Sequence, residues 1–261
     1  MQLVKMHGLG NDYVVVDVNA SIVEDPAALA IRLCDRRRGV GADGLLLVGV
    51  HETADLSMRI FNADGSEPEM CGNGMRCAVR FAIARGLATP GDLHVETGAG
   101  ILAATAGSDG AVTVDLGAAR RPSRSCSLPE GEAILVDLGN PHAVIHLDSP
   151  SQLAAIDVER LGAAISARAE FEHGTNVEWV ARMEASHLMQ RTWERGVGET
   201  PACGTGAGAV ALAMHHLGHC GERVTIELTG GELEVELRQA PDGLHAWQTG
   251  PAEIVFEATL F

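Results

Sequence analysis

The stretch Met70-Cys71-Gly72-Asn73-Gly74-Met75-Arg76-Cys77 occurs a second time, in altered form, as Ala202-Cys203-Gly204-Thr205-Gly206-Ala207-Gly208. In both copies a cysteine precedes Gly-x-Gly and then a small, apolar run of helical length. Glycine tolerates a tight backbone turn, so each copy reads as a loop feeding the N-terminus of a helix. A cysteine there meets free backbone N–H groups and the positive end of the helix dipole. That setting lowers the pKa of a thiol and makes thiolate accessible.

The correspondence extends outward. Arg59 and Arg191 each stand twelve residues before their cysteine, and Glu67 and Glu199 match at the same spacing of 132. Gly44-Leu45 to Val48 falls in step with Asn176-Val177 to Val180 at that spacing. Leu9-Gly10-Asn11 returns as Leu138-Gly139-Asn140 at a spacing of 129, each followed by a β-branched run, Val14-Val15-Val16 and Val144-Ile145. Features in one order near one spacing point to two copies of a unit of about half the chain.

The 261 residues are 46% hydrophobic, which suffices for two medium domains with their own cores. A net charge of −16 argues against a nucleic-acid surface, which needs clustered Lys and Arg, and reads as solubility. No apolar run reaches membrane-spanning length. Residues 1–8 lack the n-region and h-region of a secretory signal. Six cysteines in a chain this long do not read as a disulfide framework. A cytoplasmic protein is therefore expected, without membrane or nucleic-acid partners. Lys5 is the only lysine among nineteen basic residues, and it lies in an apolar strand pattern. That leaves no ready Schiff-base lysine for pyridoxal and no Gly-Lys-Ser/Thr phosphate loop. No cofactor and no metal are expected.

Along the chain, residues 2–6 and 12–18 read as strands joined by the turn Gly8-Leu9-Gly10-Asn11. Pro26 opens a helix to about residue 37. Residues 45–50 read as a buried strand, and Leu56, Met58 and Ile60 alternate along the next, which ends at Asn62. A helix follows Asn73 and stops at Gly86. Three short strands lie between residues 94 and 116. Ala118-Ala119-Arg120-Arg121-Pro122-Ser123-Arg124-Ser125 interrupts the pattern and reads as the domain boundary. The second half has strands near 133–138 and 143–147, a helix from about 151 to 161 or beyond, and strands near 176–182 and 187–193. A helix from 206 to about 217 and hairpin-like strands complete it. This is α+β, not a strict βαβ alternation.

Two thiols at equivalent positions suit stereoinversion. One removes a proton from one face of a carbon while the other delivers a proton to the opposite face. A thiol pKa of about 8.5 can be tuned toward neutrality. Helix N-termini hold a carboxylate through N–H groups and stabilise the charge that develops as an α-proton leaves. Cofactor-free racemisation of a small α-amino acid follows as the expectation.

The runs Met6-His7-Gly8-Leu9-Gly10-Asn11-Asp12-Tyr13, Arg59-Ile60-Phe61-Asn62-Ala63-Asp64-Gly65-Ser66, Met70-Cys71-Gly72-Asn73-Gly74 and Gly139-Asn140-Pro141-His142 resemble those of the diaminopimelate epimerases. So does Glu194-Arg195-Gly196-Val197-Gly198-Glu199-Thr200-Pro201-Ala202-Cys203-Gly204-Thr205-Gly206, and the resemblance runs nearly end to end. It implies a pyridoxal-independent isomerase that interconverts LL- and meso-2,6-diaminopimelate in lysine and peptidoglycan-precursor synthesis. It also implies two pseudo-symmetric domains, each a sheet or barrel wrapped around a central helix. Residues 1–118 plus 252–261 would carry Cys71, residues 119–251 would carry Cys203, and the site would lie in the cleft between them. By this resemblance Cys71 and Cys203 are the acid–bases, and His142 and Glu194 set their protonation. Gly72, Asn73, Gly204 and Thr205 bind the reacting carboxylate, and Glu194 also engages the reacting ammonium. Asn62, Asn140, Asn176 and Arg195 hold the distal head, with Asn11 also in the site. Arg195 offers two-pronged carboxylate binding, which selects a diacid over ordinary amino acids. The family is often a homodimer. Where some relatives carry glutamine this chain has Gly44, so a side-chain contact there is lost or replaced by water or backbone.

Other readings stay open at this point. A related epimerase acting on proline-like or other amino acids is disfavoured by Arg195 and the three asparagines. A redox pair of Cys71 and Cys203 lacks a Cys-x-x-Cys motif, although a disulfide between them fits an inactive oxidised form. A non-enzymatic binding module predicts ligand binding without solvent-hydrogen exchange. Cys34, Cys77, Cys126 and Cys220 lack the context of Cys71 and Cys203 and read as structural or incidental. Glu67 and Glu69 read as helix caps or solvated groups. His215 and His219 have the i, i+4 spacing of metal ligands, but with His216 and Cys220 they read as exposed residues favoured by a helix C-terminus.

Overall fold

The first two strands, β1 (Gln2–Gly8) and β2 (Asn11–Asp17), form an antiparallel hairpin in the structure, a computed structural model that describes residues 1–128 and 131–261, with the backbone alone at 120–124. Leu9 and Gly10 close it at φ 56° and 86°, the positive values that a two-residue hairpin turn requires. Pro26 starts α1 (Pro26–Cys34), where Asp25 accepts a hydrogen bond from the Ala28 N–H at 3.0 Å. The helix stops three residues short of the sequence expectation. Asp35 accepts from the N–H groups of Arg37 and Arg38 at 2.8 and 2.9 Å, and this local bonding competes with helix continuation.

The chain then runs through β3 (Gly44–Val50), parallel to β2, and β4 (Leu56–Asn62), antiparallel to β3. Next comes α2 (Gly72–Ala84), then β5 (Gly91–Thr97), parallel to β4, and the antiparallel β6 (Gly100–Ala106) and β7 (Val112–Leu128). The second half repeats the plan. β8 (Gly131–Asp137) and β9 (Pro141–Leu147) pair antiparallel, and α3 (Pro150–Ala155) and α4 (Val158–Ser166) lead to β10 (Asn176–Glu184), parallel to β9. β11 (His187–Glu194) returns antiparallel to β10, with the short β12 (Gly198–Thr200) beside it. α5 (Gly204–His216) leads to β13 (Arg223–Leu228), parallel to β11, followed by β14 (Gly231–Ala240) and β15 (Gly243–Gly250). β16 (Glu253–Thr259) goes back to pair with β1. The fold is α+β and rich in sheet.

The expected helix from 151 to 161 is two helices. Ile156 is extended, and Asp157 caps a new start by accepting from the Arg160 N–H at 3.2 Å.

Two compact units result: Met1–Val114 with Gly250–Phe261, and Asp115–Thr249. In the first, α2 packs against β1, β2, β3, β4, β6 and β16. In the second, α5 packs against β8, β9, β10, β13 and β14, and β15 pairs with β7 as well as β14, which closes the strand path around the helix. Every residue of α5 from Gly204 to Met214 is buried, as in a helix that is apolar on all sides. Outside these central helices, α1 covers a second core layer with Val14, Val16, Leu45 and Leu47, while Leu153, Val158 and Ile165 of α3 and α4 cover Ile145, Val177 and Trp179.

The unit boundary lies between residues 114 and 115, inside β7, rather than in the interruption at 118–125. That segment stays in the strand, with its register to β8 shifting between Arg120 and Arg124. Pro122, which has no N–H to give a ladder, falls in the irregularity. The side chains of 120–124 lie outside the described residues. Among the described residues no helix is long and apolar enough to cross a membrane.

Candidate active site

Cys71 and Cys203 are the N-cap residues of two helices of equal length, 13 residues each. Both are extended, at φ −148°, ψ 120° and φ −113°, ψ 110°. The glycines after them form no separate turn and have no positive φ at Gly72, Gly74, Gly204 or Gly206. They sit within the helices and make room. A Cβ on Gly74 would meet Leu46 Cδ2 at 3.2 Å, and one on Gly206 would meet Glu178 Oε1 at 2.8 Å. Small residues let the central helices approach the surrounding strands and side chains.

In the first unit Cys71 is half-buried, and its Sγ lies 3.1 Å from the Tyr13 hydroxyl. That hydroxyl donates to Asn11 Oδ1, and Asn11 Nδ2 donates to Asp43 at 3.4 Å. Gly72 and Asn73 open α2, with Asn73 Oδ1 accepting from Arg76 Nη2 at 2.9 Å. Arg76 is fully buried within α2, and its Nε donates to the Pro251 carbonyl. Burial lowers its pKa, while negative charge on Cys77, Cys71 or Tyr13 would oppose that shift. Asn62 ends β4 and donates to Ser66 Oγ at 2.9 Å. It stands opposite Gly44, which in turn stands opposite Tyr13. At Gly44 the backbone of β4 and the Tyr13 ring take up the space. A Cβ there would meet the Phe61 carbonyl at 2.8 Å and the Tyr13 ring at 3.4 Å, so the ring covers the position.

In the second unit Cys203 is buried, and its Sγ accepts from the Gly206 N–H at 3.4 Å. Thr205 Oγ1 lies 3.7 Å from the sulfur and accepts from Asn140 Nδ2 at 3.2 Å. Asn140 Oδ1 faces His142 Nε2 at 2.9 Å, and His142 Nδ1 faces Glu178 Oε1 at 2.8 Å. A chain of polar contacts thus runs from Glu178 to Cys203. Asn176 stands in register with His142 and accepts from the Arg195 N–H at 2.9 Å. The Arg195 guanidinium donates to the His173 carbonyl, and among the described residues no carboxylate pairs with it. Glu194 accepts from Thr200 Oγ1 at 2.5 Å. The Gly204 carbonyl accepts from Gln248 Nε2 at 2.8 Å.

The electrostatics of Cys203 reverse the sequence expectation of a lowered thiol pKa. Burial pushes this thiol up, and the Glu194 and Glu178 carboxylates push it further, which outweighs the hydrogen bonds from the Gly206 N–H and Thr205. Burial likewise raises Glu194, against the hydrogen bonds from Thr200 and Cys203.

The repeat is visible in detail. Arg59 makes a two-pronged pair with Glu67 at 2.7 and 2.9 Å, and Arg191 repeats it with Glu199 at 2.8 and 3.0 Å. Glu67 is therefore the partner of an arginine rather than a helix cap. The spacing of 129 that relates Asn11 to Asn140 also relates Tyr13 to His142. Each of these bonds the Oδ1 of its own asparagine two residues earlier, and each faces its parallel neighbour, Gly44 or Asn176. Carrying that spacing two residues further would have found Tyr13. Glu178, in the apolar run Val177-Glu178-Trp179-Val180, and Arg76, inside the cysteine motif, were legible only as exceptions to pattern. Lys5 pairs with Asp12 at 2.5 Å and contacts the Gly41 carbonyl, a structural role. His215 and His216 lie in the last turn of α5, and His219 packs against the His146 ring at 4.6 Å.

A family model described as diaminopimelate epimerase matches residues 3–122 and 134–255. A diaminopimelate epimerase of Desulforudis audaxviator is 43% identical over 98% of this chain and 98% of its own length. One from Carboxydothermus hydrogenoformans is 42% identical, with both chains covered in full. Among solved structures, a PhzF-family phenazine biosynthesis protein of Bacillus anthracis aligns with a TM-score of 0.79 at 17% identity, covering 100% of this chain and 99% of that one. A hydroxyproline epimerase of Agrobacterium vitis, with trans-4-hydroxy-L-proline bound, aligns with a TM-score of 0.71 at 17% identity, covering 99% and 91%. These two likenesses concern the fold.

Proposed function

This chain belongs to the diaminopimelate epimerase family, and on that premise we propose that it interconverts LL- and meso-2,6-diaminopimelate without a cofactor, in lysine and peptidoglycan-precursor synthesis. The observation that carries the chemistry is the matched pair of N-cap sulfurs in opposite settings. Cys203 is held as a thiol by burial and two carboxylates. Cys71 touches a hydroxyl and shares α2 with the buried Arg76. Such a pair suits one acid and one base.

In this reading Cys71 thiolate takes the α-proton. The C–H electron pair remains on the α-carbon and its carboxylate, and the Cys203 thiol gives its proton to the opposite face. The sulfurs end with exchanged protonation, ready for the reverse direction. The N–H groups at Gly72, Asn73, Gly204 and Thr205 hold the carboxylate and the charge that builds on it. Glu194 takes the reacting ammonium, and Arg195 with Asn62, Asn140 and Asn176 takes the distal head. Asn11 fixes its neighbourhood through Tyr13. Arg195, which pairs with no carboxylate among the described residues, supports a substrate with a second carboxylate over proline-like ones.

Incubation with LL-diaminopimelate in D₂O tests the reading. Deuterium should enter one α-position as the meso isomer forms, and Cys71→Ala and Cys203→Ala should each abolish conversion. No conversion overturns the substrate, and full activity in either variant overturns the two-base scheme.

A further inference from the structure

Two side chains of β2 stand by the Cys71 sulfur: Tyr13 touches it, and Asn11 bonds Tyr13. Asn11 and Tyr13 are two residues apart on β2, so both project to the same face, toward α2. The Tyr13 ring lies over Gly44 of β3, where a Cβ would stand 3.4 Å from Cδ1 and Cε1. The ring is nearly fully buried, and its hydroxyl reaches both Asn11 Oδ1 and, at 3.1 Å, Cys71 Sγ. A hydroxyl carries one proton and two lone pairs. It can donate to Asn11 while accepting from an S–H, or donate to a thiolate, but it cannot donate to both at once.

We propose that Tyr13 is a positioning residue for Cys71, whose hydroxyl gives its hydrogen bond to Asn11 when the sulfur is a thiol and to the sulfur when it is a thiolate. The inference rests on the two-base reading. Its second support is the repeat. Tyr13 takes the place that His142 takes in the other unit, each bonded to the asparagine two residues before it. The first unit thereby has a hydroxyl where the second has an imidazole backed by Glu178. Gly44 lets β3 run close beneath the ring: a Cβ there would be in ordinary contact with the ring, at 3.4 Å, and would meet the Phe61 carbonyl at 2.8 Å. Arg76 and Cys77 of α2 also lie within electrostatic reach of this sulfur, and Asp43 is reached through Asn11.

Tyr13 is the only tyrosine of the chain. Protein grown with 3-fluorotyrosine therefore has one ¹⁹F resonance from this residue. That resonance should shift as Cys71 ionises, and the step should vanish in Cys71→Ala. In Tyr13→Phe, which keeps the ring over Gly44, carboxamidomethylation of Cys71 at neutral pH should slow about tenfold, the scale of one hydrogen bond to a charged group. Alkylation of Cys203 should be unchanged. The variant's kcat should fall with KM held. A ¹⁹F titration indifferent to Cys71→Ala, or wild-type Cys71 alkylation in Tyr13→Phe, overturns the proposal. The fluorine readout stands even if Tyr13→Phe fails to fold. Both readouts need no substrate, so they fail independently of the assigned reaction, which the D₂O experiment tests alone.

Discussion

Glu178 Oε1 lies 2.8 Å from His142 Nδ1, with both side chains shut away from solvent. The other ring nitrogen faces Asn140 Oδ1 at 2.9 Å. An amide oxygen only accepts, so Nε2 carries a hydrogen, and one further hydrogen is shared between Nδ1 and Glu178. Removing one partner of a buried hydrogen bond leaves the other unsatisfied, at about 1–3 kcal/mol. Glu178→Ala should lower the urea-unfolding free energy by at least that amount and depress activity. An unchanged unfolding midpoint would mean that the contact adds nothing to stability.

Gly206→Ala should remove activity with little loss of secondary structure. The added methyl would stand 2.8 Å from Glu178 Oε1 and 3.2 Å from Cys203 Cβ. A displacement of about 1 Å at a reacting group costs about a hundredfold in rate. Gly221→Ala is the control, because nothing lies within 4 Å of its Cβ position. Steady-state rates of the two variants compared with wild type decide the point.

Stability should fall on the alkaline side. Burial pushes the Cys77 thiol up to about 12 and, with smaller charge effects at Cys34, pushes Cys34 and Cys220 up to about 11. Cys203 moves the same way. In the unfolded chain these thiols ionise near 9, while in the folded protein they stay protonated. Their contribution is therefore whole below pH 9 and is lost as pH climbs through the folded values. Each such group removes up to about 1.4 kcal/mol per pH unit in that window. Urea midpoints should drop between pH 8.5 and 10.5, and the drop should be smaller in Cys77→Ala. A flat profile contradicts the assignment.

The two arginine pairs should differ in worth despite their like geometry. Arg59 is 52% exposed and among the described residues hydrogen-bonds only Glu67, so Arg59→Ala should cost less than about 1 kcal/mol. Arg191 is 24% exposed and also donates to the carbonyls of Leu153, Ala154 and Ile156, where α3 ends. Its loss takes a donor from the Ala154 and Ile156 carbonyls, while Leu153 still accepts from the Ile156 N–H, and Arg191→Ala should cost about 2–3 kcal/mol. Equal costs, read from thermal unfolding, would show that the α3 carbonyls are satisfied without it.

Much of this architecture is legible before any coordinates. The central helices announce themselves because cysteine, glycine and a continuous small apolar run describe an N-cap and a helix buried on every side. Strand lengths follow from the alternation at Leu56, Met58 and Ile60 and from the turn at Leu9-Gly10. What escapes is whatever depends on a neighbouring strand. The dipole at Cys203 is local and readable, but the carboxylates that overrule it arrive from β10 and β11. Gly44 reads as a gap until the register with Tyr13 shows the ring above it. The stop of α1 at Cys34 turns on two hydrogen bonds to Asp35, which no periodicity records. The division at 114–115 lies a few residues before the interruption at 118–125, because a proline and a basic run can sit in a strand that is irregularly paired.

The pairing of β16 with β1, sealed by the Met1 amino group on the Leu260 carbonyl at 3.0 Å, sets an order of assembly. Residues 115–249 are contiguous, so a ribosome can release all of that unit before β16 emerges. The unit that is started first must wait, its opening strand lacking a flank, until its companion has been synthesised in full. During translation the half carrying Cys71 is therefore the vulnerable one, and a chaperone or protease surveying the nascent chain meets β1 as an open edge.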